Sequence, residues 1–153
     1  MMFDEVVELV GAWEGVLVLI PGPGDGSPEI AWGDAFFYYA PDGEVPTATQ
    51  PFATVVTKNY PDDEQSQLDL DGTFRVNFAA GRAAFTEWTE GSKAGSANSD
   101  PSVLDRIIAH PVYGSLGWLA VVNPGRRTSA DTGQLLRQAY ELARSRYERR
   151  HGR

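Results

Sequence analysis

The chain has 153 residues, 42% of them hydrophobic and 22% charged, with a net charge of -8 and no cysteine. That length suits one domain around a single core, and the lack of cysteine excludes a disulfide framework, a thiolate metal site and a cysteine nucleophile. The charge is split: residues 1–125 hold 5 Lys/Arg against 18 Asp/Glu, whereas residues 126–153 hold 8 Arg against 3 Asp/Glu.

The acidic start MMFDEVVELV has no basic n-region, and the apolar run Val16–Ile20 is too short to cross a bilayer. The reading is therefore of no cleaved signal and no transmembrane helix. Residues 3–14 read as a helix, with Phe3, Val6, Val7, Val10 and Trp13 on one face, Asp4 and Glu5 in the first turn and Gly15 as the stop. Val16–Ile20 is a strand. PGPGDGSP follows as a loop, since its prolines remove donors, Asp25 adds negative charge and no Gly-Lys-Ser/Thr opens a helix to cradle phosphate.

Ile30–Ala40 reads as a strand with a break near Gly33-Asp34, turned at Pro41-Asp42-Gly43, and Ala53–Lys58 as a β-branched strand. Residues 59–73 are an acidic surface loop. Its Asp62-Asp63-Glu64 run, with Asp69 and Asp71, lacks EF-hand spacing and reads as solubilising. Phe74–Ala79 alternates, Phe74, Val76 and Phe78 facing one way and Arg75 and Asn77 the other. Gly81–Thr89 suits a short helix, 91–101 a flexible Gly/Ser/Asn loop, and Val103–Ala109 fits either helix or strand. Gly117–Asn123 is a strand, and Thr128 or Ser129 caps a final helix with the stripe Leu135, Leu136, Ala139, Tyr140, Ala143 and Tyr147.

Short turns between strands force antiparallel pairing. The predicted fold is α+β: a single-domain antiparallel sheet with N- and C-terminal helices packed on one face. The domain spans residues 1–148, and residues 149–153 form a basic, frayed tail.

No catalytic motif stands out. The internal His110 has one histidine companion, His151 in the tail, so a histidine-rich metal site is not expected. On paper His110 serves a hydrolase as base, with Ser115 or Ser27 as nucleophile and Asp34 or Asp105 orienting it, but no nucleophile elbow supports this. The bland reading of His110 is a turn residue bonded to backbone. Trp32, Trp118, Tyr38, Tyr39 and Tyr113 form an aromatic surplus that reads as core pairs or as the lining of a pocket, and Lys58, Arg75 and Asn77 as one solvated sheet face or as its anionic-ligand contacts.

The segments IAWGDAFFYYAPDG, TQPFATVVTKNYPDD, FRVNFAAGRAAFTEW and HPVYGSLGWLAVVNPG together resemble an actinobacterial family of unknown function over nearly the whole chain. Thr57-Lys58, Trp118 and Ala139-Tyr140-Glu141-Leu142 are similar to short pieces of the MmcQ/YjbR-like family. That second resemblance implies the same α+β fold and, for some members, DNA-binding-like behaviour, from which this acidic body departs.

The expectation is an uncharacterised cytoplasmic protein that acts as a small non-catalytic ligand- or protein-binding module. Its contact residues are Trp32, Asp34, Lys58, Asn77, His110, Tyr113 and Trp118, with no cofactor and no metal. The partner is an unknown small molecule or a protein; nucleic acid is disfavoured, no membrane is expected, and a homodimer is left open. The alternatives are the His110 hydrolase and nucleic-acid binding through Arg144, Arg146, Arg149, Arg150 and Arg153.

Overall fold

A computed structural model describes residues 1–91, 93–94 and 100–151. Most of the predicted 91–101 loop, and Arg153 of the tail, lie outside the described residues. The elements run α1 (Phe3–Gly11), β1 (Val16–Leu19), β2 (Ala35–Tyr39), β3 (Ala53–Val56), β4 (Arg75–Phe78), α2 (Arg82–Thr89), β5 (Ile107–Ala109), β6 (Leu119–Val122) and α3 (Ser129–Arg150). The six strands form one antiparallel sheet in the order β1-β2-β3-β4-β6-β5.

Register sorts the side chains. Ala35 pairs with Val55, Ala53 with Phe78, and Val76 with Val121, so these residues share one face. That face is covered by Val6 and Val10 of α1 and Leu135, Leu136, Ala139 and Tyr140 of α3, all buried in one core with Phe37, Ile107 and Leu119. Ala84, Phe85 and Trp88 of α2 pack against the same core. The α+β fold with its terminal helices on one face is therefore observed.

Several boundaries differ from the sequence reading. α1 stops at Gly11 rather than at residue 14, because Trp13 N–H donates to Val10 O at 3.2 Å and Val16 N–H to Trp13 O at 3.2 Å, which turns the chain directly into β1. Gly15 is required in that turn: its φ is +80°, and a Cβ there would lie 2.5 Å from Tyr39 Cε1. β2 begins at Ala35, since Glu29–Ala31 form a 3₁₀ turn whose bonds run on to Trp32 and Asp34. The undecided segment supplies β5. α3 runs through Arg150, so the basic residues 149 and 150 are helical.

Thr128 does not cap α3 with its side chain. Its hydroxyl instead donates to Asp105 Oδ1 at 2.6 Å, and the same carboxylate accepts the N–H groups of Gly125, Arg127 and Thr128 at 2.7–3.0 Å. A distant aspartate thus does the work of a cap for the turn that launches α3. Burial opposes its charge, but the Thr128 hydroxyl and the amides outweigh that and hold the carboxyl below its ordinary range. Asp105→Ala is expected to cost about 2 kcal/mol, a melting drop of roughly 4–8 °C by calorimetry. Asp105 sits at φ +57°, so Asp105→Gly should be milder than Ala by roughly 1 kcal/mol.

Candidate functional site

The second sheet face carries Thr54 and Val56 of β3, Arg75 and Asn77 of β4, and Ala120 and Val122 of β6, in pairs set by the register. Residues 57–73 fold back over it. Leu68, with Tyr60 beside it, packs on Val56 and Val122. This second layer bears the polar groups.

Asp34, fully buried at the entry to β2, centres the first group. It accepts from Thr57 N–H (2.9 Å), the Thr57 hydroxyl (2.6 Å), Lys58 Nζ (2.9 Å) and the Tyr60 hydroxyl. Lys58 Nζ also donates to Trp32 O at 2.9 Å. Burial and the adjoining Asp34 carboxylate push the Tyr60 phenol well above its usual range. Trp32 Nε1 is buried with no hydrogen-bond partner among the described residues.

Arg75, 1% exposed, centres the second group. Nη1 and Nη2 grip Asp63 in a fork at 2.9 and 2.6 Å. Nη1 also reaches Ser66 Oγ at 3.1 Å, Nε donates to Asn77 Oδ1 at 2.7 Å, and Nη2 lies 3.0 Å from His110 Nε2. Asn77 Nδ2 then donates to Thr54 Oγ1 at 3.0 Å. All five guanidinium donors are directed at neighbours. Burial opposes charge on Asp63, yet the bonds and charge of Arg75 hold its carboxyl below the ordinary range.

His110 joins this network to the turn that follows it. The amides of Val112 and Tyr113 both point at Nδ1 at 3.0 Å, and the Tyr113 ring lies 4.9 Å from the imidazole. Each ring nitrogen thus faces donors. A neutral imidazole accepts at only one of them, and an imidazolium accepts at neither. Burial, then the Arg75 charge, depress its pKa to about 4 against the pull of Asp63. The ring is 4% exposed and offers no free lone pair to solvent, which is poor geometry for a general base.

The sign of the pH effect follows. Between about 4 and 6.5 the unfolded chain binds a proton at this position that the folded chain does not, so stability is complete above 6.5 and falls as pH drops towards 4. Denaturant unfolding over this window should show an extra slope of up to about 1.4 kcal/mol per pH unit. In His110→Asn that component should vanish; an unchanged slope would assign it to other groups.

The seven residues expected to form one contact site divide. Trp32, Asp34 and Lys58 meet at the Asp34 centre; Asn77, His110 and Tyr113 belong to the Arg75 centre; Trp118 meets the latter through backbone, its carbonyl accepting from His110 N–H at 3.0 Å and its N–H donating to Tyr113 O at 3.2 Å. Arg75 and Asn77 are buried rather than on a solvated face. Asp105, one proposed partner of His110, is committed to the start of α3, and Asp34 to Lys58 and Tyr60. Asp63 and Ser66 were not singled out by the sequence; the one signal for them was an arginine on the alternating strand β4, which needs a carboxylate if buried. Two open cavities, of about 510 and 400 Å³, are lined by none of the seven residues.

Among the described residues no cluster of three or more His, Asp or Glu is placed to hold a metal. No described helix is long and apolar enough to cross a membrane. On α3, Arg137 and Arg144 pair with Glu141 and Glu148, which reduces the positive charge on offer to a phosphate backbone.

The model of a family of unknown function, DUF6194, matches residues 1–152. The chain belongs to DUF6194. No curated protein and no solved structure matches it. Membership in DUF6194 thus brings no residue roles, and the chemistry of the site rests on its own geometry.

Proposed function

We propose that this chain is a small, non-catalytic, cytoplasmic binding module that docks on a protein partner through the turn following His110. The observation that carries this is the exposure of Val112, Tyr113 and Leu116, at 37, 50 and 71%. They are neighbours along the chain, Val112 and Tyr113 leading into the single 3₁₀ turn Gly114–Leu116. The turn is fixed by Gly114 N–H to His110 O (2.9 Å), Leu116 N–H to Tyr113 O (3.0 Å), Gly117 N–H to Gly114 O (2.9 Å) and the His110 ring. An apolar knob already rigid before binding loses little entropy on docking. The chain's net charge of -8 favours a partner of opposite overall charge at long range. In this reading the Asp34 and Arg75 networks are scaffolding that holds the knob in place. The likeness to the MmcQ/YjbR-like family, on Thr57-Lys58, Trp118 and Ala139–Leu142, and an actinobacterial origin, on the segments IAWGDAFFYYAPDG, TQPFATVVTKNYPDD, FRVNFAAGRAAFTEW and HPVYGSLGWLAVVNPG, belong to the same proposal.

A photo-crosslinking residue at position 116, with one at the exposed Gln138 as reference, tests it in extracts of the source cell. A protein captured from 116 alone, which then binds the purified chain and is lost in Tyr113→Ser/Leu116→Ser, supports the reading. Capture of the chain itself would identify the partner as a second copy. Equal capture from both positions would remove the knob as a docking element.

A further inference from the structure

The cavity of about 400 Å³ shares no lining residue with the second-face networks and lies between the loop after β2 and the last turns of α3. Its volume falls in the range of about 300–1,000 Å³ usual for small-ligand sites. One wall carries Asp42, Glu44, Val45 and Pro46; the other carries Tyr147, Arg150 and His151. Tyr39 also lines it, its ring meeting Tyr147 edge-on at 5.2 Å, and His151 stacks on Tyr147 at 3.9 Å.

The charges are the unusual part. Two carboxylates and a guanidinium line one groove, yet no ion pair joins them among the described residues. Asp42 Oδ1 is fixed by Glu44 N–H at 3.0 Å, and among the described residues Arg150 reaches only the Thr49 hydroxyl, at 3.3 Å. Opposite charges held on opposite walls repel a simple anion at one side and a simple cation at the other. A ligand bearing both charges satisfies each wall. Val45, 47% exposed, with Pro46 and the Tyr147 ring, adds apolar surface between them.

We propose that this groove binds a zwitterionic α-amino acid with an apolar side chain, its ammonium towards Asp42 and Glu44 and its carboxylate towards Arg150. The site is open to solvent, so millimolar affinity is expected, near −4 kcal/mol.

Titrating ¹⁵N-labelled full chain with L-phenylalanine tests this, beside L-phenylalaninamide, which lacks the carboxylate, and N-acetyl-L-phenylalanine, which lacks the ammonium. Phenylalanine should shift the amides of Glu44, Val45, Thr47, Ala48, Thr49 and Tyr147–His151 and bind about two- to fivefold more tightly than either derivative, the worth of one exposed ion pair. Arg150→Gln should erase its advantage over the amide, and Glu44→Gln should reduce its advantage over the acetyl form. Both positions are exposed, and unchanged circular dichroism will establish that the variants fold. Unmoved amides at about 10 mM phenylalanine, well above a millimolar Kd, would overturn the proposal, as would equal binding of the three probes. Leu116→Ser should bind phenylalanine as the parent does, so this site and the knob stand or fall separately.

Discussion

Replacing Arg75 by methionine is expected to lower the unfolding free energy by about 3–5 kcal/mol, because it strands a buried carboxylate. Asp63 would lose both arms of its fork, and Ser66 and Asn77 would each lose a donor in a space closed to water. Urea unfolding will measure it, with a melting drop of roughly 6–20 °C alongside. The double variant Arg75→Met/Asp63→Leu should be the more stable of the two, since removing both charges leaves an apolar pair that needs no solvation. If the single variant is the milder one, Arg75 and Asp63 do not form the buried pair described above.

Asp34→Ala should fall in the same range, about 3–5 kcal/mol, for a related reason. The carboxylate is the common acceptor for an amide, two hydroxyls and an ammonium, and its side chain is wholly buried. Lys58→Met should be milder, about 2 kcal/mol, since it leaves the Asp34 charge buried but still hydrogen-bonded. The lysine is 29% exposed, and without it Asp34 keeps its Thr57 and Tyr60 donors. Comparing the two melting curves decides the role of the pair. A Lys58→Met chain as unstable as Asp34→Ala would mean that the ion pair itself, rather than the carboxylate as a hub, ties residues 57–60 to β2.

The regular elements were legible wherever one face alone is apolar. Phe74–Phe78 alternates because Val76 and Phe78 enter the core while Arg75 and Asn77 do not, and α3 shows its stripe because Leu135, Leu136, Ala139 and Tyr140 meet the sheet. Boundaries failed where a turn outcompeted local preference, as at Gly11 and Asp34. The acidic run 62–64 failed for a different reason. Asp62 and Glu64 are exposed as a solubilising loop should be, but Asp63 between them turns inward to a residue twelve positions away. Nothing local separates it from its neighbours; only the fold brings Arg75 beneath it. The site residues were half legible for the same reason. Aromatic and polar types on a half-buried face were visible, but which of them satisfy one another depends on pairings between distant segments. Asp34 with Lys58, and His110 with Arg75, turned out to be each other's partners.

The strand order also bears on how fast the chain folds. β1 to β4 pair in sequence, and β5 pairs with β6, so two local ladders can zip independently. Joining them requires β4 to find β6 across residues 79–118, and closing a loop costs entropy before any contact repays it. The rate-limiting event is therefore expected at the β4–β6 seam, where Val76 meets Val121, the join that also completes the face beneath Arg75 and His110.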